Sequence, residues 1–337
     1  MVDQTHPARY WHSEGDGLVR CELCPHRCLI SEGRRGLCRV REARDGELRT
    51  LVYGQPSGLA VDPIEKKPLY HFRPGVSTLS YATVGCNFRC SFCQNHTISQ
   101  VNRELSQGEF VPPATIVEEA QKHRAQVIAH TYTEPTIYFE YAFDVAKEAH
   151  ERGLANVFVT NGFTNQQPLR DVAPYLNAAN VDLKAFADDT YQKICGGRLQ
   201  PVLDTIALLV ELGVWVEVTT LVVPGMNDSR EELDGIARFI ASVDQNIPWH
   251  ISRFYPQYKM SDVRPTPVET MNAAVHAAVD AGLKYAYVGN VPQSRHTHTL
   301  CHACGEILIR RDGFRSDSSL RGGRCIACGA EISGVWS

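Results

Sequence analysis

From about residue 77 onward, short β-branched and apolar runs alternate with stretches whose apolar positions recur every three to four residues. The short runs, at 78–84, 126–131, 156–160, 179–184, 214–223, 249–254 and 284–288, predict strands. The stretches 114–124, 136–151, 200–212, 229–242 and 267–281 predict amphipathic helices. In 136–151, Ile137, Tyr141, Val145 and Ala149 fall four apart on one stripe. In 229–242, Ser229 is followed three residues later by Glu232, the spacing of a capping box. Strand–helix–strand alternation over about 210 residues implies parallel strands joined by right-handed crossovers. Six or seven such units predict an α/β fold, a partial or complete parallel β/α barrel, whose chemistry sits on loops after the C-terminal ends of the strands.

The flanks read differently. Residues 1–50 are polar, with nine arginines, no lysine and four cysteines. Little there promises a core, so a loop-rich segment held by a metal is expected. Residues 51–75 carry a Gly/Pro-punctuated stretch, Asp62 to Phe72, expected to lie on the larger body as a connector. The expected division is a Cys-rich N-terminal metal-binding segment with connector (1–75), the barrel (76–295) and a zinc-ribbon-like C-terminal domain (296–337).

Composition adds one anomaly. Of 337 residues, 43% are apolar and 21% charged, ordinary for a globular chain, and the formal net charge of −4 gives no global sign of nucleic-acid binding. The most apolar stretch, Pro201 to Gly225, is interrupted by Asp204, Glu211 and Glu217, so no membrane association is expected. Met1 to His6 has no basic or apolar signal character, which makes the cytoplasm the expected compartment. The anomaly is twelve cysteines, grouped as 21, 24, 28, 38; 86, 90, 93; 195; and 301, 304, 325, 328. In a reducing compartment, grouped cysteines are metal or redox ligands rather than disulfides.

The most informative group is Cys86-x3-Cys90-x2-Cys93, directly after the first predicted parallel strand. Three thiolates on one short loop can ligate three irons of a [4Fe–4S] cluster. No further cysteine follows until Cys195, so one iron is left open for a ligand. This triplet resembles that of the radical S-adenosylmethionine (SAM) superfamily. The resemblance implies that the open iron binds SAM and that reductive cleavage gives a 5′-deoxyadenosyl radical, which abstracts hydrogen from a substrate.

Further segments are similar to one branch of that superfamily. They are Asp62 to Phe72, Cys86 to Gln100, Thr131-Tyr132-Thr133-Glu134-Pro135-Thr136, Thr160-Asn161-Gly162-Phe163, Val181-Asp182-Leu183-Lys184 and Val223 to Asp228. They resemble the AmmeMemoRadiSam-system radical SAM enzymes, relatives of pyruvate formate-lyase activating enzymes. The resemblance places Glu134 against the amino group of SAM, with Tyr132-Thr133 standing where the family carries two glycines. It also makes Asp182, Lys184, Thr160 and Asn161 cofactor-binding residues. Activases usually carry an acidic residue before that threonine, where this chain has Val159. An electron donor of the flavodoxin or ferredoxin kind, and a protein or peptide substrate or partner proteins of the same system, are further implications.

Cys301-x2-Cys304 and Cys325-x2-Cys328, each followed by glycine, have the spacing of a structural zinc ribbon, with rubredoxin-like iron as the competitor. Its arginines (310, 311, 315, 321, 324) are balanced by Glu306, Asp312, Asp317 and Glu331, which favours a cap or a protein contact over a phosphate surface. Cys21, Cys24, Cys28 and Cys38 fit zinc or an auxiliary iron–sulfur cluster equally. His250 is expected to be a satisfied core histidine and Cys195 a buried thiol in a helical stretch. Two other functions remain open at this point: a glycyl-radical-enzyme activase, and a non-catalytic zinc module that binds nucleic acid or protein.

Overall fold

The computed structural model describes residues 5–100, 109–292 and 294–336. Its centre is an eight-stranded sheet whose strands neighbour one another in chain order. These are β1 (Ser57–Pro63), β2 (Ser77–Ala82), β3 (Val127–His130), β4 (Ala155–Thr160), β5 (Ala178–Asp182), β6 (Trp215–Val222), β7 (Trp249–Arg253) and β8 (Ala286–Gly289). Strands β2 to β8 run parallel, and β1 pairs antiparallel with β2. Helices α1 (Pro113–Lys122), α2 (Phe139–Glu151), α3 (Gln166–Val172), α4 (Gln200–Glu211), α5 (Arg230–Val243) and α6 (Val268–Asp280) form the crossovers. Among the described residues β1 and β8 do not pair, so the barrel is partial.

The expected pattern holds where it was strongest. Ile137, Tyr141, Val145 and Ala149 are all buried, and Ser229 Oγ accepts the Glu232 N–H at 3.3 Å as a helix cap. Two elements escaped it. The seven-residue α3 is too short for a periodic signal. Strand β1 lies within the expected connector, so the sheet begins before residue 76. Its alternation is hidden by a register shift between Ser57 and Ala60, where Gly58 takes a φ of 75°.

The N-terminal segment is not the loop tangle expected. It forms two three-stranded antiparallel sheets, and Val19, Ile30, Val40, Ala43 and Leu48 are buried in the same apolar cluster as the barrel helices. Two hairpins turn at Asp16-Gly17 and Asp45-Gly46, with positive φ at all four residues. That is the Asp-Gly tight turn whose twist suits paired strands. A buried ion pair, Arg41 to Glu140 at 3.0 Å, fastens this unit to α2.

At the other end, strands Thr299–Leu300, Ile307–Asp312 and Arg315–Ser318 form a small antiparallel sheet. Leu308, Ile309 and Ile332 bury Tyr285 and Tyr287 at the barrel's last strand. Arg311 reaches back to stack on Tyr70 at 3.9 Å and donates to the Tyr70 carbonyl at 2.9 Å. No described helix is long and apolar enough to cross a membrane.

Candidate active site

The loop after β2 carries Cys86, Cys90 and Cys93 past the C-terminal edge of the sheet, where barrel chemistry is placed. Its shape is fixed from behind. The Arg89 and Ser91 N–H groups donate to the carbonyls of Cys195 and Ile194, at 2.8 and 3.2 Å, and Asn87 Nδ2 donates to the Phe163 carbonyl at 2.9 Å. Gly85 has a φ of 100°, and a Cβ there would sit 2.9 Å from the Cys38 carbonyl.

The sulfurs are supplied with polar neighbours. The Phe88 N–H donates to Cys86 Sγ at 3.3 Å, Asn161 Nδ2 approaches the same sulfur at 3.8 Å, and Ser99 Oγ lies 3.2 Å from Cys93 Sγ. Burial pushes the Cys86 thiol far up, and the Glu134 charge adds to this. A thiolate here therefore calls for bound cations. Among the described residues these three sulfurs do not form a group within 4.8 Å, as one ion asks; a cluster puts each thiolate on its own iron. The donor set fits a [4Fe–4S] cluster. Cys195 is fully buried, as expected, and its backbone carbonyl accepts the Arg89 N–H behind the cysteine loop.

These cysteines line a cavity of about 1900 Å³ that opens into the barrel. Asn161, Asp182 and Lys184 face the same cavity from the ends of β4 and β5. Lys184 Nζ holds Asp182 at 2.8 Å and lies 5.9 Å from the Phe92 ring centre. Burial opposes its charge, but Asp182 and Cys90 outweigh burial, so the ammonium stays protonated.

Glu134 and Thr160 do not line the cavity. Glu134 is fully buried, and Oε1 accepts from the Thr136 N–H (3.0 Å), Thr136 Oγ1 (2.7 Å) and Thr160 Oγ1 (2.7 Å). Its Oε2 accepts the Asn161 N–H at 2.7 Å. Burial raises its pKa, and these four donors oppose that rise. In this structure Glu134 ties together the loops after β3 and β4. Tyr132 adopts a φ of 62°, in the left-handed region that favours glycine.

His250 is a satisfied histidine, bonded to the fully buried Glu217 at 2.6 Å, although it also reaches the cavity wall. Other wall residues were missed from sequence. Lys67 lines the cavity, and it bonds to Asp62 at 2.8 Å and to the Tyr132 hydroxyl at 3.3 Å. The ribbon contributes Gly305 to Ile307 and Arg311 to Phe314. The Asp62–Phe72 motif was the available signal for Lys67; nothing local signalled the ribbon's position.

The ribbon's four sulfurs all lie within 4.8 Å of one another, with Cys301 to Cys328 at 3.6 Å and Cys304 to Cys325 at 3.7 Å. Zn–S bonds of about 2.3 Å at a tetrahedral ion place sulfurs about 3.8 Å apart. Gly305 and Gly329, at φ of 76° and 77°, close the knuckles by donating to the Cys301 and Cys325 carbonyls. This group could hold a single metal ion. His298 is not part of it, because its Nδ1 accepts the Arg311 N–H.

Comparison with known proteins adds four findings. The Radical SAM superfamily profile matches residues 80–240. The chain is 43% identical over 329 residues to "Uncharacterized protein MJ0808" of Methanocaldococcus jannaschii, covering 96% of this chain and 98% of that protein. It is 22% identical to the pyruvate formate-lyase-activating enzyme of Clostridium pasteurianum, over 63% of this chain and 91% of that enzyme. A radical SAM methyltransferase from Sphaerobacter thermophilus has a similar fold, with a TM-score of 0.53 at 17% identity over 84% of this chain and 76% of that one.

Proposed function

The chain belongs to the radical SAM superfamily, and on that premise we propose that Cys86, Cys90 and Cys93 hold a [4Fe–4S] cluster whose open iron takes SAM. When bound, the cluster supplies one electron to SAM, whose reductive cleavage yields methionine and a 5′-deoxyadenosyl radical able to take hydrogen from a substrate. The observation that carries this reading is the placement of all three cysteines on one cavity wall, at the C-terminal ends of the strands. The protein's own work is orientation and exclusion of water. Lys184 and Asp182 present a fixed charge pair beside the cysteines, suited to the carboxylate and amino groups of SAM. Asn161 spans Cys86 Sγ and the cavity, while Glu134 and Thr160 hold Asn161 in place from behind.

The substrate is a segment of a protein or peptide. Small-molecule pockets run to about 300–1,000 Å³, so a cavity of about 1900 Å³ leaves room for a chain segment beside SAM. The motif set supports placing the chain in the AmmeMemoRadiSam-system branch, with a flavodoxin or ferredoxin-like protein as electron donor. All twelve cysteines are free of disulfides, consistent with work in a reducing cytoplasm. The C-terminal group is a closed structural zinc site.

Anaerobically reconstituted, reduced protein will convert SAM to 5′-deoxyadenosine, and Cys86→Ala, Cys90→Ala or Cys93→Ala will abolish this. Full product formation by the variants would overturn the assignment. A second reading, glycyl-radical activation, is favoured by similarity along 91% of an activating enzyme. An EPR glycyl-radical signal on a partner protein would select it.

A further inference from the structure

Cys21, Cys24, Cys28 and Cys38 take no part in the site described above. The fold nevertheless gathers them. The Cys21 N–H donates to the Cys28 carbonyl at 2.9 Å, which closes a loop carrying Cys24. Cys38 sits on a turn closed by the Arg39 N–H to the Gly36 carbonyl at 2.9 Å. None of the four is in a disulfide.

The spacing of their sulfurs separates the two metals that ligand type leaves open. A single tetrahedral ion draws four thiolates into mutual contact, as the ribbon shows with pairs at 3.6 and 3.7 Å. Among the described residues, the ribbon is the group whose ligand atoms all lie within 4.8 Å. Neither the N-terminal four nor the Cys86, Cys90, Cys93 triplet falls within that limit. A cubane asks for wider spacing, because its thiolates sit on different irons. Four cysteines also cap four irons, leaving none open for a substrate.

Position supplies the role. His26, between Cys24 and Cys28, bonds to the Asn87 carbonyl at 2.8 Å. Gly85, beside Cys86, packs directly on the Cys38 carbonyl. One cavity of about 290 Å³ is lined by both Cys38 and Cys86. The two cysteine groups therefore stand back to back. Arg35, Leu37 and Arg39 stand at that cavity, and Arg27, Arg34, Arg35, Arg39 and Leu37 are exposed, with Arg27 paired to Glu22 and Arg35 to Glu42. That basic rim with an apolar centre suits a carrier with an acidic face.

We infer that Cys21, Cys24, Cys28 and Cys38 hold a second [4Fe–4S] cluster, which passes electrons from a reduced, acid-faced carrier protein to the cluster at Cys86, Cys90 and Cys93. The inference rests on the radical SAM reading above. Each transfer moves one electron: the carrier is oxidised by one, the N-terminal cluster returns to its starting state, and the inner cluster is reduced by one. No bond or proton changes hands.

The test is metal and sulfide counting on the full chain after anaerobic reconstitution, with EPR of the reduced protein. Two clusters and one ribbon ion predict about eight irons, eight sulfides and one zinc per chain. Cys24→Ser/Cys28→Ser will drop iron to about four, keep the zinc, and keep an EPR signal that shifts on adding SAM. Cys86→Ala/Cys90→Ala/Cys93→Ala will also keep about four irons, with a signal indifferent to SAM. Wild-type protein with about four irons and two zincs would overturn the inference, even if the serine variant fails to fold. If all iron is then lost from the triple-alanine variant, the inner cluster survives and only the N-terminal one fails. If the iron remains there, the radical SAM reading fails instead. Reduced flavodoxin will reduce the inner cluster about tenfold or more slowly in the serine variant; an equal rate would overturn the relay.

Discussion

Glu134 offers the sharpest discrimination between a motif and a geometry. By resemblance its carboxylate meets the amino group of SAM; in the structure both oxygens are spent on Thr136, Thr160 and the Asn161 N–H. In Glu134→Gln the amide oxygen can replace Oε1 and keep its three donors. The amide nitrogen then faces the Asn161 N–H, setting donor against donor where nothing else reaches. A buried donor left unsatisfied costs about 1–3 kcal/mol, and the three retained bonds lose their charge assistance. The expected total is a loss of about 3 kcal/mol in stability, read by anaerobic urea unfolding. SAM affinity, read by equilibrium dialysis on cluster-loaded protein, should change by less than about threefold. A direct contact to SAM would give the reverse. Stability would hold, while loss of a charged hydrogen bond worth about 1.5–3 kcal/mol would weaken SAM binding by tenfold or more. Unchanged unfolding with SAM binding lost would refute the buried-tie account.

Two further outcomes follow from the cap and from buried histidines. Cys328→Ser should release the ribbon metal, about one zinc per chain, and uncover Tyr285 and Tyr287, lowering barrel stability by about 3 kcal/mol; retention of metal or of stability would refute the docking role. Burial holds His71 and His130 neutral, with pKa values lowered to about 4. The unfolded chain protonates them near pH 6.5, so it binds more protons and stability falls as pH drops from about 6.5 to 4, by about 3 kcal/mol for each. In urea titrations between pH 7.5 and 4.5, His71→Gln should flatten that slope; an identical slope would refute the assignment.

The barrel was legible because its strands are short apolar runs set between helices long enough to show a stripe, as α2 does with Ile137 to Ala149. The N-terminal sheets were not, because strands of two to five residues are shorter than any periodic window. Their signal was the pair of Asp-Gly turns at 16–17 and 45–46, which dictate hairpins regardless of strand length. The cysteine triplet was legible because its geometry is local, confined to one loop. Glu134 was not, because its donors include Asn161, twenty-seven residues away. Still less legible was the ribbon's share in the cavity wall, since Arg311 and Tyr70 meet across 241 residues of chain.

Tyr132 shows how a departure from a family pattern can be absorbed by another part of the same pattern. A tyrosine at φ 62° occupies the left-handed region that glycine enters freely, at a strain of order 1–3 kcal/mol. Three contacts hold it there. Its hydroxyl donates to Asp62, its ring lies 4.5 Å from the Lys67 ammonium, and its carbonyl accepts from Asn95 Nδ2 at 2.6 Å. Burial works against the Asp62 charge, but bonds from Lys66, Lys67 and Tyr132 outweigh it and keep the carboxyl well below the usual range. The carboxylate end of the clamp therefore stays ionised well into the acid range. Asn95 lies two residues after Cys93, and Asp62 and Lys67 come from β1 and the turn after it. A segment that read as a connector thus sets the backbone beside the cysteines. The added antiparallel strand is what brings Asp62 within reach, so the edge of the sheet and the conformation of the site are one structural decision.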